Sequence, residues 1–84
     1  MAIKDELNLK IKKVAANIRK IREIRNYTQE YLAVKLGISQ NAYSKLELGY
    51  TRITVERLFH IAEILDANVT DIIRDENIEV LHTV

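Results

Sequence analysis

Gln40, Asn41, Ser44 and Lys45 place two amides, a hydroxyl and an ammonium within six residues. An amide carries a donor and an acceptor side by side, so Gln40 and Asn41 can each bond the N6 and N7 edge of an adenine. Lys45 can donate to guanine O6 and N7 or to a phosphate. These are groups for recognition and not for bond breaking. The rest of the chain offers little to catalysis. It has no cysteine, hence no thiolate and no disulfide, and His60 and His82 are its only histidines. No nucleophile has a base beside it in sequence, and there is no glycine-rich phosphate loop and no ligand set with zinc spacing. The expectation is a protein that is not an enzyme and has no cofactor or metal.

Four polar side chains can read a surface only if something holds them outward together. From Gln29 to Leu48 the chain reads QEYLAVKLGISQNAYSKLEL, two short amphipathic helical patterns broken at Gly37, Ile38 and Ser39. Leu32, Ala33 and Leu36 of the first pattern and Tyr43 and Leu46 of the second fall on one apolar side, leaving Gln40, Asn41, Ser44 and Lys45 outside. Two helices that cross need a tight reversal, and the first ends best on a residue that tolerates the left-handed conformation. Gly37 meets that need. Ala33 lets the helices approach, Ile38 plugs the corner, and the Ser39 hydroxyl caps the second helix. This is a helix-turn-helix, whose second helix presents its N-terminal end to a DNA major groove.

The remaining elements frame this pair. Leu7, Ile11, Val14, Ile18 and Ile21 recur at spacings of four and three, predicting a long first helix over residues 6–25 with a buried apolar stripe. Asn26 suits a left-handed exit, and Thr28 caps the second helix. Gly49 ends the third helix and residues 50–53 form a loop. Thr54 caps a fourth helix, with Glu56 in its first turn and Val55, Leu58, Phe59, Ala62 and Leu65 on its buried face. Asn68, with Asp71 three residues on, starts a short fifth helix through Ile72 and Ile73. Two glycines and no proline leave room for little besides helices and short turns.

The 84 residues suit one domain, and the apolar fraction of 48% with 30% charged residues is that of a globular protein. No apolar run long enough for a membrane span and no signal-peptide pattern occur, so a cytoplasmic protein is expected. The net charge of +1 hides a strong polarity. Residues 1–26 hold eight Lys and Arg against three Asp and Glu, residues 27–52 three against two, and residues 53–84 two against seven. The N-terminal part thus suits a polyanion, while the C-terminal part is repelled by one.

With these elements and capping residues, the stretch NIRKIREIRNYTQEYLAVKLGISQNAYSKLELGYTRITVERLFHIAEILDANVTDII, residues 17–73, resembles the lambda-repressor-like (Xre-type) helix-turn-helix DNA-binding family. The resemblance implies an all-α, five-helix domain over residues 1–84, with a core at 17–73, an extended first helix and a short C-terminal tail at 74–84. It also implies that Gln29 touches phosphate and buttresses the first recognition side chain. Ser39, Gln40, Asn41, Ser44 and Lys45 would face base edges or flanking phosphates, and Tyr50, Thr51 and Arg52 would lie along the sugar-phosphate backbone. Arg22 and Glu47 occupy the positions of an ion pair that ties the first and third helices together.

Three residues depart from the family pattern. Tyr43 stands where a branched aliphatic residue is usual, which directs its hydroxyl to the core boundary or to a phosphate. Tyr31 replaces the acid of a capping box, and Asp66 replaces the glycine that commonly ends the fourth helix, at a cost in stability. The implied function is sequence-specific binding of double-stranded DNA by a homodimer that regulates transcription from an operator, since one such domain has too small a footprint for useful specificity. The same fold serves the antitoxin of a toxin-antitoxin pair, with a toxin protein as partner, and the controller protein of a restriction system. It also serves protein-interaction modules, to which the polar face at residues 40–45 is less suited. In residues 77–84 the β-branched Ile78, Val80 and Val84 at even spacing suggest a short strand that joins two copies.

Overall fold

A computed structural model describes residues 3–74. Five helices follow in order: α1 (Ile3–Ile24), α2 (Gln29–Leu36), α3 (Gln40–Glu47), α4 (Val55–Leu65) and α5 (Val69–Ile73). The described residues contain no strand. The core draws on every helix. Ile18 of α1, Leu32 of α2, Tyr43 of α3, Ile61 and Leu65 of α4 and Ile72 of α5 are fully buried and lie in one cluster. α1 lies across α3, α4 and α5, while α2 packs on α3 and α4. The expected strand and copy-joining role of residues 77–84 fall outside the described residues.

The helix ends obey local chemistry. Thr28, Ser39 and Thr54 are extended at the three N-caps, and each hydroxyl accepts the backbone N–H three residues on, from Tyr31, Ala42 and Arg57, at 3.0 Å. Each such cap contributes about 0.5 to 2 kcal/mol. Asn68 is extended at the start of α5 but its side chain makes no capping bond. The Asp71 carboxylate pairs instead with Arg74, at 3.3 Å. Without an acid at position 31, Tyr31 has taken another role. Its ring lies 4.6 Å from that of Tyr27, and the Lys35 ammonium stands 5.6 Å above its centre.

Chain reversals use the left-handed region. Asn26 and Asp66 adopt φ of 62° and 52°, and the C-cap Asp66 closes α4 by donating its N–H to Ala62 and Glu63 carbonyls. Arg25 reaches over from α1 to bond the Leu65 and Asp66 carbonyls at 2.8 and 2.7 Å, satisfying the helix end that a non-glycine residue strains. Asn17 does the same for α5, donating to the Ile72 and Arg74 carbonyls.

Two expected core faces prove too broad. α1 begins at Ile3, earlier than the spacing predicts, and Leu7 and Ile11 on its apolar stripe remain exposed because they face an open groove, with Ile53, Leu58 and Ile73 on its other walls. On α4, Ile61, Ala62 and Leu65 are buried whereas Val55 and Phe59 are exposed. The periodicity marks a side of the helix, and the neighbours reach only part of it.

A buried ion pair joins α1 to α3. The Arg22 Nε and Nη2 donate to Glu47 Oε2 and Oε1 at 2.6 and 3.1 Å, a two-pronged contact between side chains that are 10% and 2% exposed. Arg22 Nη1 donates to the Tyr27 carbonyl at 2.8 Å, and Gln29 Nε2 donates to Glu47 Oε1 at 3.1 Å. The pair therefore also fixes the link between α1 and α2 and the first turn of α2. Burial pushes the Glu47 carboxyl upward, but donation by Arg22 and Gln29 outweighs it and holds the pKa below the usual carboxylate range. The bond to Glu47 raises the Arg22 pKa.

Tyr43 corrects the expectation for its hydroxyl. The oxygen is buried, has no hydrogen-bond partner and faces inward near this pair, so it does not reach a phosphate. Burial, and after it the Glu47 carboxylate, push its ionisation far above the ordinary phenol range.

Two expected outcomes follow from this framework. Gly37 and Gly49 have φ of 72° and 78°, but a Cβ at Gly37 would meet nothing within 4 Å whereas one at Gly49 would lie 2.9 Å from Lys12 Cγ. Gly37→Ala should cost about 1 to 2 kcal/mol from backbone strain alone, and Gly49→Ala about 1 to 3 kcal/mol more from the clash. Urea midpoints measure both, and equal losses would show that α1 yields freely at Lys12. Glu47→Ala should cost about 3 to 5 kcal/mol by leaving a buried cation, with Arg22→Ala adding little on top of it. Because the carboxyl is held below its unfolded value near 4.3, its contribution is complete above that pH and fades as pH falls through the folded pKa. Acid titration of stability should show that loss in the native chain and a shallower one in Glu47→Gln.

Candidate nucleic-acid interface

α3 stands with its core side occupied by Tyr43, Leu46 and Glu47, so its opposite side is free of packing duties. Gln40, Asn41 and Lys45 are exposed there and Ser44 is half-buried. The left-handed Gly37 ends α2, its N–H reaching the Ala33 and Val34 carbonyls, and Ser39 opens α3 two residues later. Ile38 between them packs half-buried against the core. This reversal turns the N-terminal end of α3 outward, where the amides of Gln40 and Asn41 project beyond the domain.

One open cleft gathers much of the polar side. Ser39, Asn41 and Lys45 from α3 and its cap meet Thr51 and Arg52 from the following loop, with Arg57 of α4 closing the far wall. Three cations and no acid line it. Such a depression concentrates positive potential between low-dielectric walls and attracts an anion along its length. Lys45, Thr51 and Arg52 are exposed, so their donors keep full access to a ligand.

The structure does not bring all the sequence-predicted residues into that cleft. Gln40 and Ser44 lie on α3 outside its walls, and Tyr50 turns to a separate apolar groove formed with α1. The Gln29 amide is committed to Glu47, because a carboxylate buried this deeply needs more donors than Arg22 supplies. No bond to Gln40 is formed, and what Gln29 offers outward is the first turn of α2, where backbone N–H groups have no intrahelical acceptor. Arg22 and Glu47 lie beneath the surface and serve as its support.

Arg57 was not foreseen. Its Nη1 donates to the Leu36 carbonyl at 3.3 Å, so it both closes the C-terminal end of α2 and contributes charge to the cleft. The signal available in sequence was a lone arginine in the first turn of α4, where a cation opposes the helix dipole and so calls for an external partner. His60 is exposed on α4, and among the described residues no three His, Cys, Asp or Glu side chains gather in a way that could hold a metal. No helix among the described residues is long and apolar enough to cross a membrane.

Known proteins share this arrangement. A helix-turn-helix family model matches residues 18–72, which span the core from Ile18 to Ile72. The HTH-type transcriptional regulator YqaE of Bacillus subtilis (strain 168), itself uncharacterized, is 35% identical over 63 residues, which is 75% of this chain and 54% of that protein. The chain thus spans about half the length of this curated relative. Among solved structures, the clp gene regulator ClgR from C. glutamicum superposes with a TM-score of 0.71 at 27% identity, over 75% of this chain and 82% of that one. With the family match covering well over half of its residues, the chain belongs to the helix-turn-helix family of the lambda-repressor (Xre) type.

Proposed function

We propose that this protein is a transcriptional regulator that binds double-stranded DNA in a sequence-specific manner, acting as a homodimer on an operator. The observation that carries this reading is the acid-free cleft that joins Asn41 and Lys45 of the recognition helix to Thr51, Arg52 and Arg57. In this reading the exposed end of α3 enters the major groove. Gln40 and Asn41 bond base edges, Ser39 and Ser44 supply shorter contacts at the margins, and Lys45 takes a guanine edge or a phosphate. Thr51, Arg52 and Arg57 follow the sugar-phosphate backbone, with the first turn of α2 at Gln29 on the opposite flank.

The charge distribution supports the same reading. The acidic C-terminal third, with seven Asp and Glu against two basic residues, contrasts with the basic residues 1–26. Such polarity along the sequence fits a partner that is a polyanion. The membership of the family and the names of the two relatives agree with a regulator. Pairing is inferred from the size of the reading surface: one recognition helix covers few base pairs, and two copies reading half-sites about one helical turn apart double the information.

Selection of bound fragments from random duplex DNA should return a palindromic site. On that site Gln40→Ala should lose about 1 to 3 kcal/mol of affinity and change little on random DNA. Arg52→Ala should weaken binding to both alike and flatten the salt dependence by about one phosphate's worth of slope. If Gln40→Ala left the discrimination between the two DNAs unchanged, the docking of α3 in the groove would be wrong.

A further inference from the structure

We infer that the apolar groove beside the N-terminal half of α1 is filled by the chain's own residues 75–84, which continue from α5 at its edge. The groove has a volume of about 680 Å³ and is walled by Leu7 and Ile11 of α1, Tyr50 and Ile53 of the loop, Leu58 of α4 and Ile73 of α5. Leu7 and Tyr50 are 53% and 73% exposed. Side chains from four parts of the chain thus converge on one apolar surface, and contiguous surfaces of that kind mark sites of association.

Three observations select this occupant. The first is where the described chain ends. Ile73 lines the groove, and the next residue, Arg74, is extended, with its carbonyl held by the Asn17 side chain of α1 at 3.0 Å. Val14, one turn before Asn17, also lines the groove, so the chain leaves α5 pinned to α1 at the groove's inner end. From Val14 to Lys4 the groove follows α1 for about 15 Å at the helical rise, and ten extended residues reach about 33 Å. The length is ample. The second observation is composition. Residues 75–84 read DENIEVLHTV, in which Ile78, Val80 and Val84 fall on one side of an extended chain, an apolar edge suited to an apolar groove. The third is charge. Lys4 and Arg52 stand in the wall, where no acid does among the described residues, and the segment brings Asp75, Glu76 and Glu79 with no lysine or arginine. Tethering adds to this, because so short a connection holds the segment at an effective concentration on the order of millimolar, ahead of any free partner. Docked there, the segment serves its own chain and does not join two copies. None of these arguments depends on DNA binding.

Disulfide trapping in the full chain tests the inference cleanly, because the chain has no cysteine of its own. Ile11 and Ile24 lie on α1 to either side of Asn17 at nearly equal spacing and are both exposed, but only Ile11 lines the groove. With Val80→Cys as the common partner, Ile11→Cys should close an intramolecular disulfide about tenfold faster than Ile24→Cys in the same glutathione buffer, since docking raises the effective concentration on one side only. Equal rates would show a segment that visits both sides alike and would overturn the inference. A disulfide-linked dimer as the main product of the Ile11→Cys, Val80→Cys chain would seat the segment on another copy and overturn it too. A second measurement leaves the described residues untouched. Ile78→Asp combined with Val80→Asp should keep the helical circular dichroism and shift the amide resonances of Leu7, Ile11 and Tyr50, while those of Tyr31 and Lys35 on α2 stay in place. Resonances at Leu7, Ile11 and Tyr50 that do not move would count equally against it.

Discussion

Everything that the outer side of α3 can do depends on the contact between Arg22 and Glu47. A carboxylate that is 2% exposed would be intolerable alone, and the guanidinium meets both of its oxygens. What the pair returns is geometry more than stability, since ion pairs buried this deeply often do no better than well-packed apolar residues of equal volume. Arg22 has further donors, and one goes to the Tyr27 carbonyl. Glu47 accepts a third bond from Gln29. Three elements are thereby held in one register: the C-terminal half of α1, the start of α2 and the end of α3. Hydrophobic burial is non-directional, and the directional bonds to Glu47 add a fixed orientation at the C-terminal end of α3, on which the aim of its exposed polar side chains depends.

Short-range rules then do what the pair does not. Hydroxyls at Thr28, Ser39 and Thr54 start α2, α3 and α4 with the same bond at the same length. Left-handed residues at 26, 37, 49 and 66 turn the chain after each of the first four helices. The two kinds of punctuation are complementary, one satisfying orphan donors and the other orphan acceptors. Where the left-handed residue is not glycine, another side chain supports it, as Arg25 does for the end of α4. The strain that Asp66 introduces is thus offset by long-range hydrogen bonds that local sequence does not reveal.

That contrast explains what was legible in the chain before its structure. Caps and turns are local, so Gly37, Ser39 and Thr54 announced the helix boundaries that they make. The buried sides of α2 and α3 were also legible, because both helices are short and fully flanked. Periodicity groups Leu7 and Ile11 with the buried residues of α1, yet both are exposed, and the same holds for Val55 and Phe59 of α4. Periodicity reports which residues share a side, and only tertiary structure says how far the neighbour extends. Contacts such as Arg57 to Leu36, Asn17 to Ile72 and Gln29 to Glu47 join residues far apart in sequence and carry no local signature. The inward Tyr43 hydroxyl belongs to this class too, since nothing near position 43 says which way its oxygen points.

The separation of support from surface has a consequence for how such a protein can change its target. Gln40, Asn41 and Lys45 are exposed and make no packing contribution to the core, so substitutions there have small effects on folding and, under the proposed function, act on recognition. Tyr43, Leu46 and Glu47 lie on the same short helix and tolerate no such freedom, being buried in the core or in the ion pair. Within eight residues, α3 therefore interleaves positions under opposite constraints, and the helical repeat keeps them on opposite sides. Under the proposed function, a new base preference can arise by altering donors and acceptors at 40, 41 and 45 while Arg22 and Glu47 continue to set where those groups stand. The cations at 52 and 57, which the proposed docking directs to phosphate, sit on neighbouring elements, so in that docking affinity for phosphate is preserved through the change.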